Sequence, residues 1–435
     1  MPPLQFADHS THLQAILQAA LDQADPQTAV YQHLHKKDGQ LHLGPHTVEL
    51  GSGRLFILSL GKAAVPMALA ALDVVGETAV AGGGILTKHL PDTPLPLPAY
   101  VGSHPVPDDQ SVMATTAVLE PLAALTEKDL VLCLISGGAS ALFTRPRLPL
   151  DDWQALNQAL LASGCPIQAV NTVRRQLDAV KGGGLARWVA PARIISLILS
   201  DVVGNDLAAI GSGPTVASQE TPAQALAILQ RYAVERFLDT AVAQTITTTL
   251  QHLTQTRPTP PTNIIDNLII GSIQQAAQAA AARAEALGFQ TRLLTTRLEG
   301  EAREVGKFAA ALASDAPAQS ATLLGGETTV TLRGNGIGGR NLETALAAAI
   351  NLAGWPQRTI TSFATDGDDG PSGAAGATVT GQTVRDGDTA VTFLDNNDSY
   401  TYFQQLDAAG HGPHLINTGP TGTNVNDLIV ILNYP

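Results

Sequence analysis

Cysteine is nearly absent from this chain: Cys133 and Cys165 are the only two. Both stand in apolar surroundings, so no disulfide framework is available, and no Cys/His spacing typical of a metal site occurs. Aromatic residues make up 4% and charged residues 14%. Positive charge is scarce: 25 Lys and Arg face 38 Asp and Glu, for a net charge of −13. That balance argues against nonspecific nucleic-acid or anionic-membrane binding, and any phosphate must be held by locally placed cations. The N-terminus lacks a basic region followed by an apolar run, and no stretch reaches membrane-spanning length. No internal repeat points to a solenoid. The expectation is a soluble cytoplasmic protein with no membrane or nucleic-acid partner. A homodimer is compatible with the sequence.

What is abundant is apolar and small. With 435 residues and 44% hydrophobic content rich in Ala, Gly and Leu, the chain suits two or three α/β domains around large buried cores. The clearest linker is Thr254-Gln-Thr-Arg-Pro-Thr-Pro-Pro-Thr262. It divides the chain into domains at 1–255 and 262–435. Residues from about Thr11 to Lys37 read as a helical stretch packed outside the first domain, with Leu13, Ile16, Leu17, Ala20 and Leu21 on one face. His33, His35 and His42 have no ligand-like spacing and read as solvated. Pro222 to about Leu253 also reads as helical.

The stretch Leu324 to Glu343 predicts strand, glycine loop and helix. Thr329, Thr331 and Arg333 alternate with Val330 and Leu332, the period of a half-buried strand. Asn341 is placed to cap a helix whose apolar face is Leu342, Ala345, Leu346, Ala349 and Ile350. Gly334, Gly336, Gly338 and Gly339 leave a loop of bare N–H groups with Arg340 at the helix mouth, a place for an anion. The alternative is a tight turn without a ligand. The same glycines formally match a dinucleotide fingerprint, but the acidic residue expected some 20 positions later is missing from Pro356-Gln-Arg-Thr-Ile-Thr-Ser-Phe.

Buried strands ending in glycine loops recur. Leu55 to Leu60 runs into Gly61-Lys62, which is not a P-loop, because Phe56 and Ala63 stand at positions that motif reserves for glycine and a hydroxyl. Lys62 suits a phosphate or carboxylate; a solvated structural lysine is the other reading. Gly83 to His89 is a short strand ending in Lys88, and Gly102-Ser-His104-Pro-Val-Pro107 a rigid turn. Asp129 to Ile135 precedes Ser136-Gly137-Gly138-Ala-Ser140, whose N–H and hydroxyl donors suit an anion. A helix from Ile167 to Val180 ends at Lys181-Gly-Gly-Gly, with Arg175 and Asp178 spaced to pair on a solvated face. Arg193 to Ser200 leads to Asp201 and Asp206, either Mg²⁺ anchors or solvated loop aspartates, and then to Gly211-Ser212-Gly213-Pro214-Thr215. Thr365-Asp-Gly-Asp-Asp369-Gly is an acidic turn, and Asn417 to Asp427 is dense in small donors.

Open α/β sheets bind ligands at the C-terminal ends of their strands, so the two halves are expected to meet across a cleft. Lysine, arginine and carboxylates at such ends suit phosphoryl transfer, which rests on positioning and charge neutralisation.

The ordered set Ser136-Gly-Gly-Ala-Ser-Ala-Leu, Lys181-Gly-Gly, Ser200-Asp-Val-Val-Gly, Gly211-Ser-Gly-Pro-Thr, Gly325-Gly-Glu-Thr-Thr-Val, Gly338-Gly-Arg-Asn, Thr365-Asp-Gly and Thr418-Gly-Pro-Thr-Gly-Thr-Asn-Val-Asn-Asp resembles the glycerate 2-kinases of the MOFRL type. The resemblance covers nearly all of the chain after about residue 50. It implies a Rossmann-like N-terminal domain, a C-terminal α/β MOFRL domain and an active site in the interdomain cleft. It also implies transfer of a phosphoryl group from ATP, with a divalent metal such as Mg²⁺, to the 2-hydroxyl of D-glycerate. Lys62 and Arg340 fall on the family's favoured catalytic positions and would neutralise the phosphoryl group or the glycerate carboxylate. Asp201, Asp206 and Glu327 would position Mg²⁺, with Asp201 also placed to orient the hydroxyl. Ser136, Gly137, Gly138, Ser140, Lys181, Gly211, Ser212, Gly213, Thr215, Gly338 and Gly339 would hold nucleotide or substrate. Asn205 stands where the family usually has an aspartate, and Leu342 where glutamine is common. A hydroxypyruvate reductase using NAD(P)H is the rival reading, and a catalytically silent nucleotide-binding protein is another.

Overall fold

The computed structural model describes residues 3–256 and 259–435. The chain divides into two compact units, one of Pro26–Ser200 and Asn205–Ile270, the other of Met1–Asp25, Asp201–Gly204 and Gly271–Pro435. The linker expected at 254–262 comes one strand earlier than this division; its Arg257 and Pro258 lie outside the described residues. No helix among the described residues is long and apolar enough to cross a membrane.

The first unit opens with a small antiparallel sheet of β1 (Leu34–Lys37), β2 (Gln40–Leu43) and β3 (His46–Glu49). Its main sheet contains β4 (Leu55–Leu60), β5 (Val80–Thr87), β6 (Ala99–Val101), β7 (Leu130–Ile135), β8 (Arg193–Leu199) and β9 (Ile264–Gly271), in the spatial order β6-β5-β4-β7-β8-β9. The first five run parallel. Every residue of β4 and β7 is buried, as a strand covered on both faces requires, and this makes them legible as unbroken apolar runs. Counted along the chain, the order is 3-2-1-4-5-6, that of a doubly wound sheet. Its switch point lies between β4 and β7, where the connections leave toward opposite sides. The sixth strand, β9, belongs to this sheet, with Ile194 N donating to Asn263 O next to it (3.0 Å). Helices Leu150–Ala162, Ile167–Leu177, Pro222–Arg231 and Thr240–Thr256 add a separate apolar cluster around Trp153, Leu156, Leu177 and Leu250. The helical stretch expected from Pro222 to about Leu253 is divided between two of these helices, with Ala233 between them in the left-handed region (φ 48°).

The second unit holds a mixed sheet of β10 (Gln290–Leu298), β11 (Ser320–Gly326), β12 (Arg358–Ala364), β13 (Gly376–Thr380), β14 (Leu415–Ile416) and β15 (Asp427–Asn433), ordered β10-β11-β15-β12-β13-β14. Only β10 and β11 pair in parallel. The fully buried β15 lies at the centre, and its first residue, Asp427, is in register with Gly326 on one side and Ala364 on the other. The ends of β11 and β12 therefore meet the start of β15 at one edge of the sheet. Helix Arg340–Leu352 packs with helix Ala302–Asp315 in the core of this unit, with Leu342 fully buried. The N-terminal helix His9–Ala24 joins this unit and not the first: it packs on helix Ile273–Leu287, and Thr423 Oγ1 donates to Ala24 O (2.6 Å).

Candidate active site

Lys62 leaves the C-terminal end of β4 at the switch point and is exposed. Its own N–H donates to Gly137 O (2.8 Å), which ties the loop after β4 to the loop after β7. Ser136 lies between them: its hydroxyl accepts from Ala63 N (3.0 Å) and donates to Leu60 O (3.3 Å). Ser136 is thus a fully buried clamp, not a ligand-facing hydroxyl. Above it, Gly138 adopts φ 82° and lies under two side chains. A Cβ there would come within 3.1 Å of Lys62 Cγ and 3.2 Å of His104 Cδ2. Burial, then the charges of Lys62 and Lys88, push the His104 imidazole down to about 4. Lys62, Lys88, His104 and the Gly137-Gly138 backbone therefore form one cationic, glycine-floored cluster.

Other expected contacts of this unit turn inward. Lys181 is buried with its ammonium donating to Ser140 O (2.7 Å) and Phe143 O (3.0 Å), 3.4 Å from Asp178 Oδ2. It braces the loop that carries Ser140, with its donors directed into the protein. Asp178 is consequently not paired with Arg175, which is itself buried and held by Glu220. Ser140 Oγ and Ser212 Oγ bond each other (2.6 Å). Thr215 Oγ1 is shared between Ser196 and Asn267, and Ser212 O and Gly213 O accept from Gly182 N and Gly183 N. The Gly211–Thr215 loop is knitted to the Lys181-Gly-Gly loop. Asp206 is exposed and accepts from Ala208 N (3.0 Å), a local turn.

In the second unit Arg340 opens its helix and is gripped by Asp427: Nε donates to Oδ2 (2.5 Å) and Nη2 to Oδ1 (2.8 Å). Glu327 Oε1 lies 3.6 Å from Nη2. These acids keep the guanidinium protonated against its burial, while 23% of its side chain stays exposed. The two-pronged geometry fixes its plane as well as its charge.

Much of the glycine loop's backbone is engaged within the chain. Residues 329–339 form no strand beyond a single bridge between Thr329 and Glu301. The expected alternation fails because Thr331 N bonds Glu301 Oε1 (2.9 Å), Arg333 N and Gly334 N bond Asn397 Oδ1 (2.6 and 3.0 Å), and Ile337 N bonds Asp398 Oδ1 (2.9 Å). The glycines permit this close approach: a Cβ on Gly339 would lie 2.3 Å from Asp369 Cγ. The helix mouth is filled by that same carboxylate, which accepts from Asn341 N (3.0 Å) and Leu342 N (2.8 Å). An anion does sit at this N-terminus, and it belongs to the chain. Gly338 and Gly339 are packing positions, set against Ser399 and Asp369. The sequence marks Asp369 only as part of an acidic turn and Asp427 only as the end of a donor-rich stretch; nothing in it pairs Asp369 with Asn341, 28 residues away, or Asp427 with Arg340, 87 residues away.

Profiles described as a domain of unknown function (DUF4147) and as the MOFRL family match residues 12–247 and 320–427. A D-glycerate 2-kinase of Thermotoga maritima is 40% identical over 397 residues, spanning 88% of this chain and 91% of that protein. This chain belongs to the glycerate 2-kinase family. The crystal structure of a glycerate kinase from the same organism superposes with a TM-score of 0.84 at 37% identity, covering 98% of this chain and all of the other. A protein of Agrobacterium vitis that carries the provisional name hydroxypyruvate reductase is 37% identical over 97% of this chain and 93% of its own length. The family is thus an α/β one with its MOFRL segment C-terminal.

Burial pushes the carboxyls of Asp369 and Asp427 up to about 6, from an ordinary 3.8. In that window the folded chain binds protons that the unfolded chain does not, so each carboxyl's contribution to stability falls as pH rises through it. His104, pushed down from 6.5, contributes in the opposite sense. The expected result is therefore a difference: between pH 4 and 6, Asp427→Asn removes a stability loss that the wild type shows. Denaturant unfolding across that range in ligand-free buffer measures it, and parallel slopes for the two proteins would contradict it.

Proposed function

We propose that this chain transfers the γ-phosphoryl group of ATP to the 2-hydroxyl of D-glycerate, giving 2-phosphoglycerate and ADP. The observation that carries the reading is the 40% identity with a D-glycerate 2-kinase across almost the whole of both chains. The two cationic clusters support it. Lys62, exposed at the switch point of a doubly wound sheet, neutralises an anionic group of the reactants, and Arg340, oriented by Asp427, neutralises another. Reduction of hydroxypyruvate is the weaker reading, because the only glycine fingerprint in the chain is closed by Asn397, Asp398 and Asp369.

Among the described residues no three His, Cys, Asp or Glu side chains gather to hold a metal. Magnesium does not need such a set, since it is commonly bound through one or two carboxylates plus substrate phosphates. The second unit offers suitable hard donors. Asn426 Oδ1 is buried and accepts no hydrogen bond, while its Nδ2 donates to Glu327 Oε2 (3.0 Å) and Asp201 O (2.7 Å). Glu327, 45% exposed, together with Asn426 and Asp201 would hold the ion, and Asp206 is left out. When bound, magnesium would supply charge neutralisation on the phosphates.

The test is to supply D-glycerate, ATP and Mg²⁺ and pass the product to enolase, which accepts 2-phosphoglycerate and not the 3-isomer. NADH oxidation with hydroxypyruvate and no ADP release would decide for the reductase. Lys62→Ala is expected to lower kcat/KM about a hundredfold or more, as loss of a phosphate-facing cation does. Its unfolding curve should match the wild type, because the side chain is exposed and only the backbone N–H of Lys62 serves the loop. Near-normal turnover would remove Lys62 from the reaction.

A further inference from the structure

The cluster around Lys62 contains a side chain to which the kinase reading gives no role. His104 follows β6 on a segment that is firmly tied down: Gly102 N donates to Thr87 O (3.0 Å), Ser103 N to Ser111 Oγ (2.9 Å), and Ser103 Oγ to Asp108. The anchored backbone delivers the imidazole over Gly138, beside Lys62. Among the described residues, no protein group hydrogen-bonds either ring nitrogen, although the ring is about half buried. An imidazole held this firmly, with neither nitrogen engaged by the protein, is available to a ligand.

The chemistry of its neighbours narrows what that ligand atom is. Lys62 and Lys88 can only donate hydrogen bonds. The Ser136 hydroxyl is engaged between Leu60 and Ala63. Donors alone suit a phosphate or a carboxylate, but a hydroxyl about to lose its proton needs an acceptor. At neutral pH burial, and after it the charges of the two lysines, keep His104 uncharged, so one ring nitrogen retains its lone pair. A third cation would serve a purely anion-binding cluster better than a neutral ring does.

We propose that His104 accepts the hydrogen bond of the alcohol that receives the phosphoryl group, a catalytic contact that rests on the glycerate kinase reading. As the hydroxyl oxygen forms its bond to the γ-phosphorus, the bond from that phosphorus to the β–γ bridging oxygen breaks. The electron pair leaves with ADP, and the hydroxyl proton passes to the free ring nitrogen of His104. A weak base suffices, because in a loose phosphoryl-transfer transition state the attacking oxygen develops little bonding before the proton moves. Reactant anions that neutralise Lys62 and Lys88 would strengthen that base at the moment it is needed.

The experiment compares wild type, His104→Ala and His104→Gln in the enolase-coupled assay. His104→Ala should lose about a hundredfold in kcat, with KM for ATP within about twofold of wild type. His104→Gln, whose amide oxygen keeps an acceptor, should recover about tenfold of that loss. Turnover by His104→Ala within about threefold of wild type overturns the proposal, and so does a rise in KM for ATP at unchanged kcat. Absence of glycerate-dependent ADP release by the wild type sinks the kinase reading and this proposal together, which separates it from an active wild type with indifferent variants. Should His104→Ala fail to fold, the imidazole Cε1–H resonance missing from His104→Gln can be followed instead. In the wild type holding a non-hydrolysable ATP analogue, D-glycerate should shift that resonance; an unmoved signal overturns the contact.

Discussion

Arg340→Lys is expected to lose about a hundredfold to a thousandfold in kcat, nearly as much as Arg340→Ala, although it keeps the positive charge. The reason is geometric. Asp427 takes both Nε and Nη2 of Arg340, so the guanidinium plane is set before any reactant arrives. A lysine ammonium is a compact point charge that cannot present a planar fork to Asp427 and still direct a donor outward. It would settle among Asp427, Glu327 and Asp369, the acids whose field keeps the guanidinium protonated. Asp427→Asn should fall between wild type and Arg340→Lys, since it preserves the guanidinium and one acceptor oxygen while releasing the other grip. The measurement is kcat and KM for both substrates in the enolase-coupled assay, with unfolding curves as the fold control. Arg340→Lys within about threefold of wild type would show that charge alone is needed and that the two-pronged contact with Asp427 is structural.

The parts of this molecule legible in the sequence are those fixed by local pattern. β4 and β7 announce themselves as apolar runs because both faces are covered, and the glycines after them mark the loops of the switch point. Lys62 and Arg340 could be picked out because a cation immediately after a strand or opening a helix is a local feature. Partners contributed by distant segments were not legible. The alternation from Thr329 to Arg333 is genuine in the sequence, yet its backbone N–H groups are captured by Glu301 and Asn397, so no strand forms. Nothing near Gly339 reveals that Asp369 will occupy the helix mouth. His104 sits in a proline-bounded turn whose spacing from Lys62 carries no signal; only the packing over Gly138 joins them. The N-terminal helix shows an apolar face, but which unit that face meets is decided by helix Ile273–Leu287 and by the Thr423–Ala24 bond.

Lys181→Met carries the largest expected effect on stability, about 3–5 kcal/mol, with little direct effect on chemistry. Lysine followed by three glycines reads as a flexible cation waiting for phosphate, but its side chain is 2% exposed and Asp178 beside it is fully buried. The carboxylate also accepts from Thr144 Oγ1 (2.5 Å) and Val180 N (3.0 Å), so removing the ammonium leaves a buried charge partly compensated and two carbonyls, Ser140 O and Phe143 O, without their donor. Methionine fills the same volume, so the loss comes from unpaired polar groups and not from a cavity. Burial lowers the pKa of Lys181 while Asp178 raises it, and burial is the larger of the two. Replacing both partners, with Lys181→Met and Asp178→Asn together, should recover part of the stability, because an amide needs less compensation than a carboxylate. Unfolding in denaturant at neutral pH tests this, with KM for ATP measured on the same preparations at low temperature. A variant that unfolds like the wild type but binds ATP tenfold more weakly would return Lys181 to the nucleotide. A variant that loses stability while keeping its KM assigns it to bracing the Ser140 loop beneath the switch point.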